Sequence, residues 1–397
     1  MPKFEPFRGL RYATSTSTDV SRLTSPPYDV FDEQIRDTYA RNEEHNIVNV
    51  DYPVERDGDG RYEAAAQQLR NWIETSVLVL DDAPSFYIYR MTFTDETETT
   101  RTTVGVLGAL EVVDVGAGGV LPHEQTTPKA KTDRLDLTRA TRTNLSPVWG
   151  LSLNQGLSAL LKDSGIEVSR CIDEQGVVHV IERVDDSARL ALISTCVADK
   201  PVLIADGHHR YAIARTYRDD VAGTPQANGA GSTLTYVAEL VEEQLSIAAI
   251  HRIYSDITAD QLQTALAKFF AVTNAGNVDA STLTEMRRRG ALCLVGPDGQ
   301  GQFLTPRMGN FEGVRDLDSA RLEHALQGIT HQVFYQHGVT DVLNALRQGR
   351  CSAAVLIRPV SIDQIRHVAD SGELMPPKST FFTPKLRTGL VMRPLDA

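Results

Sequence analysis

Pro201-Val202-Leu203-Ile204-Ala205-Asp206-Gly207-His208-His209-Arg210-Tyr211 runs an apolar segment directly into a carboxylate, a glycine, two imidazoles and a guanidinium. Val202 to Ala205 is a short unbroken apolar run of the kind that fills a central strand. Tyr211-Ala212-Ile213-Ala214-Arg215-Thr216-Tyr217 then restores apolar residues at helical spacing. Chemistry is expected at the joint between the two. Asp206 reads as the helix N-cap and Gly207 as a point where backbone can approach a ligand closely. The amides that follow would be donors at the positive end of a helix dipole. Such a joint suits an anion. Arg210 would add a two-pronged contact to a phosphate or carboxylate, and His208 and His209 supply donors or proton carriers near neutral pH. Zinc is disfavoured, because adjacent histidines diverge on a helix and neither a His-Glu-x-x-His pattern nor a cysteine pair stands beside them.

Around this segment the composition is that of an ordinary globular protein. The chain has 397 residues, more than one compact core usually holds, with 41% hydrophobic and 23% charged residues. Forty basic residues against 52 acidic ones give a formal charge of -12, which repels nucleic acid unless a local basic groove overrides it. The four cysteines, Cys171, Cys196, Cys293 and Cys351, are widely spaced and read as reduced core residues. With no leader pattern at the amino terminus and no run of about 20 apolar residues, a cytoplasmic protein without membrane association is the expectation.

Towards the amino terminus, Ser25-Pro26-Pro27-Tyr28-Asp29-Val30 is a rigid extended approach that could present an aromatic ring and a carboxylate to a cleft, and Asn46 to Val50 reads as a strand. Arg61 onward predicts an amphipathic helix. Ser85–Phe93 and Thr102–Leu110 predict strands joined by a polar hairpin. Pro122-His123-Glu124 follows an apolar strand, and Glu124 could act as a general base if its surroundings raise its pKa. Lys129, Lys131, Arg134, Arg139 and Arg142 form a basic cluster suited to phosphate. Residues 219 to 233 read as a flexible Gly-rich connection. A buried strand ends at His251-Arg252, which could face the same cleft. The last 140 residues or so alternate helices and short strands, then close on Met375-Pro376-Pro377-Lys378-Ser379-Thr380-Phe381-Phe382-Thr383-Pro384-Lys385. There the prolines enforce extended backbone and leave Lys378, Ser379 and Lys385 available to an anion. No Walker loop, dinucleotide fingerprint or kinase-type catalytic loop is present.

Four of these segments together, Ser25-Pro-Pro-Tyr-Asp-Val, Pro122-His-Glu, Ala205-Asp-Gly-His-His-Arg-Tyr and Met375-Pro-Pro-Lys-Ser-Thr-Phe-Phe-Thr-Pro-Lys, resemble the bacterial and archaeal family known as domain of unknown function 1015. The Asp-Gly-His-His-Arg element also resembles the phosphate-binding turn of the ParB and sulfiredoxin superfamily, including its free serine kinases. The resemblance implies a mixed α/β (α+β) protein with a ParB/sulfiredoxin-like central core and flanking α/β subdomains. These would be an amino-terminal region 1–115, a catalytic core 116–256 and a carboxy-terminal lobe 257–397. It further implies Glu124 as the base toward a hydroxyl and Asp206 as the residue that places Mg²⁺ or substrate. Gly207, His208, His209 and Arg210 would hold the phosphates of ATP or ADP, with His209 also in the catalytic set and Lys378 and Ser379 assisting. Tyr28, Asp29, His123, His251 and Arg252 are the candidate substrate contacts.

The function expected is a small-molecule kinase acting on a hydroxyl acceptor such as free L-serine. A phosphoester hydrolase using the same anion turn, or a ParB-like nucleotide-binding regulator with no small-molecule product, are the alternatives. The expected partners are a small-molecule substrate and a nucleotide, without nucleic acid or membrane. Self-association is left open.

Overall fold

The computed structural model describes residues 1–14, 19–54, 60–95, 99–123, 131–372, 374–376 and 378–397, with 131 and 132 in backbone only. The fold is mixed α/β, and the chain divides into two units. The first comprises Met1–Phe93, Arg101–Leu245 and Pro384–Ala397; the second comprises Thr94–Thr100 and Ser246–Thr383.

The first unit is built on a nine-stranded mixed sheet. Its strands run in the order Val120–Pro122, Val202–Asp206, Val148–Ser152, Ser232–Glu239, Thr100–Glu111, Phe86–Thr94, Val178–Val184, Ile166–Ile172, and the short Phe4–Glu5 pairs onto Thr100–Glu111. The linear division at residue 115 is cut across by this sheet, because Thr100–Glu111 from the first region pairs with Ser232–Glu239 from the second. Strand alternation sorts the side chains onto two faces. Phe86 and Ile88 point into an aliphatic cluster with Val106, Val148, Val202 and Ile204, covered by Ile193 and Val197 of helix Ser187–Ala198 and by Tyr211. Tyr87 and Tyr89 carry hydroxyls on the opposite side: Tyr87 donates to Asp81 (2.7 Å), and Tyr89 meets His179 Nδ1 (2.8 Å) and accepts from the Arg387 amide (3.1 Å).

The two ends of the sequence are zipped together over this polar face. Leu10 pairs with Met392 and Ser25 with Thr388. Arg387, almost fully buried, donates to the Thr24 carbonyl (2.9 Å) and forms an ion pair with Glu174 (2.8 Å). This carries the Pro-Pro-Tyr segment and Lys385 to the edge where Val202–Asp206 ends.

In the second unit a six-stranded sheet runs in the order Phe270–Asn277, Gln300–Pro306, Leu292–Val295, Ala353–Leu356, His251–Ser255, Gln332–Gln336, antiparallel at each junction. One face packs Tyr254, Leu292, Leu294 and Val355 with Leu262 and Leu322; the other packs Ile253, Cys293, Val295 and Leu356 with Met286 and Val342. Among the described residues no helix is long and apolar enough to cross a membrane.

Two local expectations change. Asn46 to Val50 does not form a strand: Val48–Asp51 is a single helical turn, because Asn46 Oδ1 accepts from the Val48 amide (2.9 Å) while its Nδ2 donates to the Arg22 and Thr24 carbonyls. A side-chain turn of this kind overrides local strand preference. Residues 219–233 are not an unstructured linker either, since helix His208–Asp220 ends inside them and Ala227–Ala230 forms a further turn before Ser232–Glu239 begins.

Glycines set how closely the aromatic layer can lie on the sheet. A Cβ at Gly108 would sit 2.4 Å from Phe4 Cζ and 2.7 Å from Phe86 Cε1, the two rings that stack with centroids 5.1 Å apart. Gly108→Ala is therefore expected to destabilise the first unit by about 1–3 kcal/mol through overpacking, read as a lower midpoint in urea denaturation with an unchanged slope.

Candidate functional site

Strand Val202–Asp206 lies between the parallel Val120–Pro122 and the antiparallel Val148–Ser152, with an irregularity between Ile204 and Asp206 opposite Trp149. The strand ends at Asp206, and helix His208–Asp220 begins two residues later. The residue between them, Gly207, adopts φ 84°, a left-handed conformation that glycine reaches without penalty. Gly207, and not Asp206, is the N-cap, and no side chain caps the first turn.

Asp206 is instead held by two cations. Arg210 Nη2 donates to Oδ2 (2.7 Å) and Lys385 Nζ to Oδ1 (3.1 Å). Burial pushes this carboxyl up, but Lys385 and Arg210 outweigh burial and hold it below the usual carboxylate range. Arg210 is not a free fork for a phosphate, since it also donates Nη1 to the Pro147 carbonyl. The carboxylate remains within reach of solvent, its side chain being 26% exposed.

Two imidazoles meet at a tilt beside the turn. His123 Nδ1 donates to the Ile204 carbonyl (2.5 Å), and its ring lies 4.9 Å from that of His208. Burial lowers His123 to about 4, against the opposing effects of the Ile204 carbonyl and Asp206. Burial and the neighbouring His123 lower His208 to about 3. Both are therefore neutral at physiological pH, and His208 Nε2 is buried without a hydrogen-bond partner among the described residues. His209 is half-buried at the start of the helix.

The Pro-Pro-Tyr segment arrives at the same edge. The Arg134 guanidinium stands 4.1 Å from the Tyr28 ring centroid, a cation–π arrangement. Burial raises the Tyr28 hydroxyl, and Asp29 raises it further, while Arg210 and Arg134 oppose. Arg210 in turn feels Asp206, Asp29, Tyr28 and Asp51, so Tyr28 and Asp29 lie within electrostatic reach of the turn. Asp51 was not singled out from the sequence. It is buried, with Oδ1 3.6 Å from Arg134 Nη1 and Oδ2 lacking a hydrogen-bond partner among the described residues. Burial raises its pKa against Arg134 and Arg210. In sequence it merely follows the Asn46–Val50 stretch that reads as a strand.

The basic cluster is largely neutralised where it is described. Arg134 pairs with Asp133 (2.7 Å), Arg139 with Asp136 (2.9 Å) and Asp220, and Arg142 with Asp396. Glu124 and Lys129 lie outside the described residues. A cavity of about 470 Å³ opens on helices Glu33–Asn42 and Arg61–Glu74, and none of the site residues above lines it.

His251, Arg252, Lys378 and Ser379 belong to the second unit. His251 is fully buried, and its Nδ1 accepts from the Ile357 amide (3.3 Å). Arg252 donates to the Ile250 and Lys378 carbonyls and lies over the Tyr335 ring (4.7 Å). Lys378 is exposed at φ 61°, and the Ser379 hydroxyl donates to the Pro376 carbonyl (2.7 Å). Of the carboxy-terminal segment, it is Lys385 that reaches Asp206.

The neutral histidines give a pH dependence with a defined sign. Burial lowers His123, His208 and His251 to about 3–4 and also lowers His179, against an ordinary value of 6.5. The unfolded chain then binds more protons than the folded chain once pH falls below about 6.5, so stability is full above that value and declines through the interval down to about 4. Each such histidine adds up to about 1.4 kcal/mol per pH unit. Urea titrations at successive pH values are expected to show this decline, and His208→Gln to make it shallower by about one proton.

No curated protein matches this chain in sequence. Comparison with solved structures finds likeness to a conserved hypothetical protein from Pyrococcus furiosus (13% identity, 68% of this chain and 92% of that chain, TM-score 0.36). It also finds a free serine kinase in complex with AMP (12% identity, 68% and 89%, TM-score 0.36). A third is SbnI with a C-terminal truncation from Staphylococcus aureus (14% identity, 73% and 87%, TM-score 0.38). At these values the likeness assigns no activity. Residues 4–320 match the family described as Protein of unknown function (DUF1015), and with most of its length matched the chain belongs to that family.

Proposed function

We propose that the turn at Asp206–Arg210 binds the phosphates of a nucleotide, ATP or ADP, and that the protein transfers a phosphoryl group to the hydroxyl of a small molecule, with free L-serine the first acceptor to test. The observation that carries this reading is the pair of cations, Lys385 and Arg210, gathered on one carboxylate beside the uncapped first turn of helix His208–Asp220. A phosphate entering there meets the positive end of the helix and the Lys385 ammonium, which it would share with Asp206. The neutral His208 ring offers a buried nitrogen that needs a partner. The sequence resemblance of Pro122-His-Glu and Asp-Gly-His-His-Arg to free serine kinases supports the same assignment.

In the reaction the acceptor oxygen forms a bond to phosphorus as the bond from phosphorus to the nucleotide's bridging oxygen breaks. The hydroxyl proton passes to the Glu124 carboxylate, and the nucleotide leaves one phosphate shorter. Such a transfer is mainly positioning and charge neutralisation. Tyr28, Asp29 and His123 are the acceptor-side contacts in this reading. His209 stands beside the phosphates in this reading. Mg²⁺ supplies charge neutralisation on the phosphates in reactions of this class. Asp206 does not fit as its ligand, because both carboxylate oxygens are already on cations.

Phosphorus NMR with Mg²⁺ and ATP or ADP, with and without L-serine, is expected to show a serine-dependent phosphomonoester. Inorganic phosphate released equally without serine would support hydrolysis instead, and no turnover would leave nucleotide binding alone. Glu124→Gln is expected to retain nucleotide affinity and lose about 10²–10⁴ in turnover. Lys385→Met is expected to weaken nucleotide binding by about 10–100-fold, the weight of one charge-assisted hydrogen bond, measured by calorimetric titration.

A further inference from the structure

The two outer strands of the second sheet are built differently. Phe270–Asn277 has an irregularity between Asn274 and Gly276 and ends in the polar Asn274-Ala275-Gly276-Asn277, features that blunt an edge against further pairing. Gln332–Gln336 has no such irregularity and no glycine. It pairs with His251–Ser255 in unbroken register from Gln336 opposite His251 to Ser255 opposite Gln332. Its sequence, Gln332-Val333-Phe334-Tyr335-Gln336, contains no charge, proline or glycine. Among the described residues nothing pairs with its outer side.

The side chains of this strand are exposed on both faces of the sheet. Val333 is 37% exposed, Phe334 47% and Tyr335 44%. Their opposite numbers, Tyr254, Ile253 and Arg252, are buried, so the covering helices shield the neighbouring strand and stop short of the edge. A further strand alongside would continue both apolar layers.

We propose that this edge is the contact through which two copies of the chain pair, antiparallel about a two-fold axis at Phe334. The sequence is its own complement in that register. Phe334 meets Phe334, Val333 meets Tyr335, and Gln332 meets Gln336. These are the aromatic–aromatic, β-branched–aromatic and amide pairs that stabilise antiparallel strands, and a two-fold interface requires such self-complementarity. The product is one continuous twelve-stranded sheet across two second units. A five-residue strand pair buries less than a standard interface, so the association is reversible and depends on concentration. It is independent of the proposed phosphoryl transfer.

Sedimentation equilibrium of the full chain over a concentration series tests this. The wild-type protein is expected to move from monomer to dimer, and backbone amides 332–336 to gain hydrogen-exchange protection as it does so. Phe334→Lys and Phe334→Glu each place like charges opposite one another and are expected to remain monomeric, with unfolding midpoints close to wild type. An equimolar mixture of the two is expected to restore the dimer, because only a residue that faces itself gains from that mixture. A monomer at every concentration, dimers that survive both single variants, or a mixture that fails to associate would each overturn the proposal.

Discussion

The Asp206 carboxylate is the junction that ties the end of a central strand to the helix after it and to the carboxy-terminal segment. It terminates the strand, anchors the Arg210 guanidinium against the first turn of the following helix, and receives Lys385 from a segment 179 residues downstream. A carboxylate in this position loses water on burial, and the two cations compensate that loss. Removing either partner would leave an unbalanced charge at the sheet edge. The same geometry separates two tasks: Arg210 serves mainly to hold the turn, through Asp206 and the Pro147 carbonyl, while Lys385 remains nearer to solvent.

Around that junction the molecule uses tyrosines and histidines in place of aliphatic packing. Tyr87, Tyr89 and Tyr236 line one face of the sheet beside Trp149 and His179, and their hydroxyls meet Asp81, His179 and the Arg387 amide where partners are present. Such a layer is directional, because each buried hydroxyl or ring nitrogen demands a particular neighbour. It is also what the amino-terminal and carboxy-terminal segments rest on. Arg387, bonded to the Thr24 carbonyl and Glu174, fixes the chain two residues from Lys385.

Much of the architecture was legible because it follows from local periodicity. The strand-glycine-helix joint at 202–217 and the amphipathic helix Arg61–Glu74 appear where the apolar spacing puts them, as do the strands Phe86–Thr94 and Thr100–Glu111. What escaped is what tertiary partners decide. Asp206 carries a typical N-cap side chain, yet Lys385 and Arg210 compete for it more strongly than helix amides do. Asn46 turns a β-prone Ile-Val-Asn-Val stretch into a helical turn by bonding to the Val48 amide and to the Arg22 and Thr24 carbonyls. Asp51 takes its place through Arg134, which folds over Tyr28 and against it from a distant part of the sequence. The cluster of arginines at 134–142 looked like an anion surface because its carboxylate partners, Asp220 and Asp396 among them, are remote in sequence.

The return of the chain to the first unit after the whole second unit has a consequence for synthesis. Translation proceeds at about 5–20 residues per second, so roughly 10–40 seconds separate the emergence of Asp206 from that of Lys385. During that interval the nascent sheet carries a carboxylate whose second cation does not yet exist, and its polar tyrosine face lacks the segment that covers it. Premature termination anywhere in the second unit would release a chain with that face uncovered. Such a chain would be conspicuous to proteolysis.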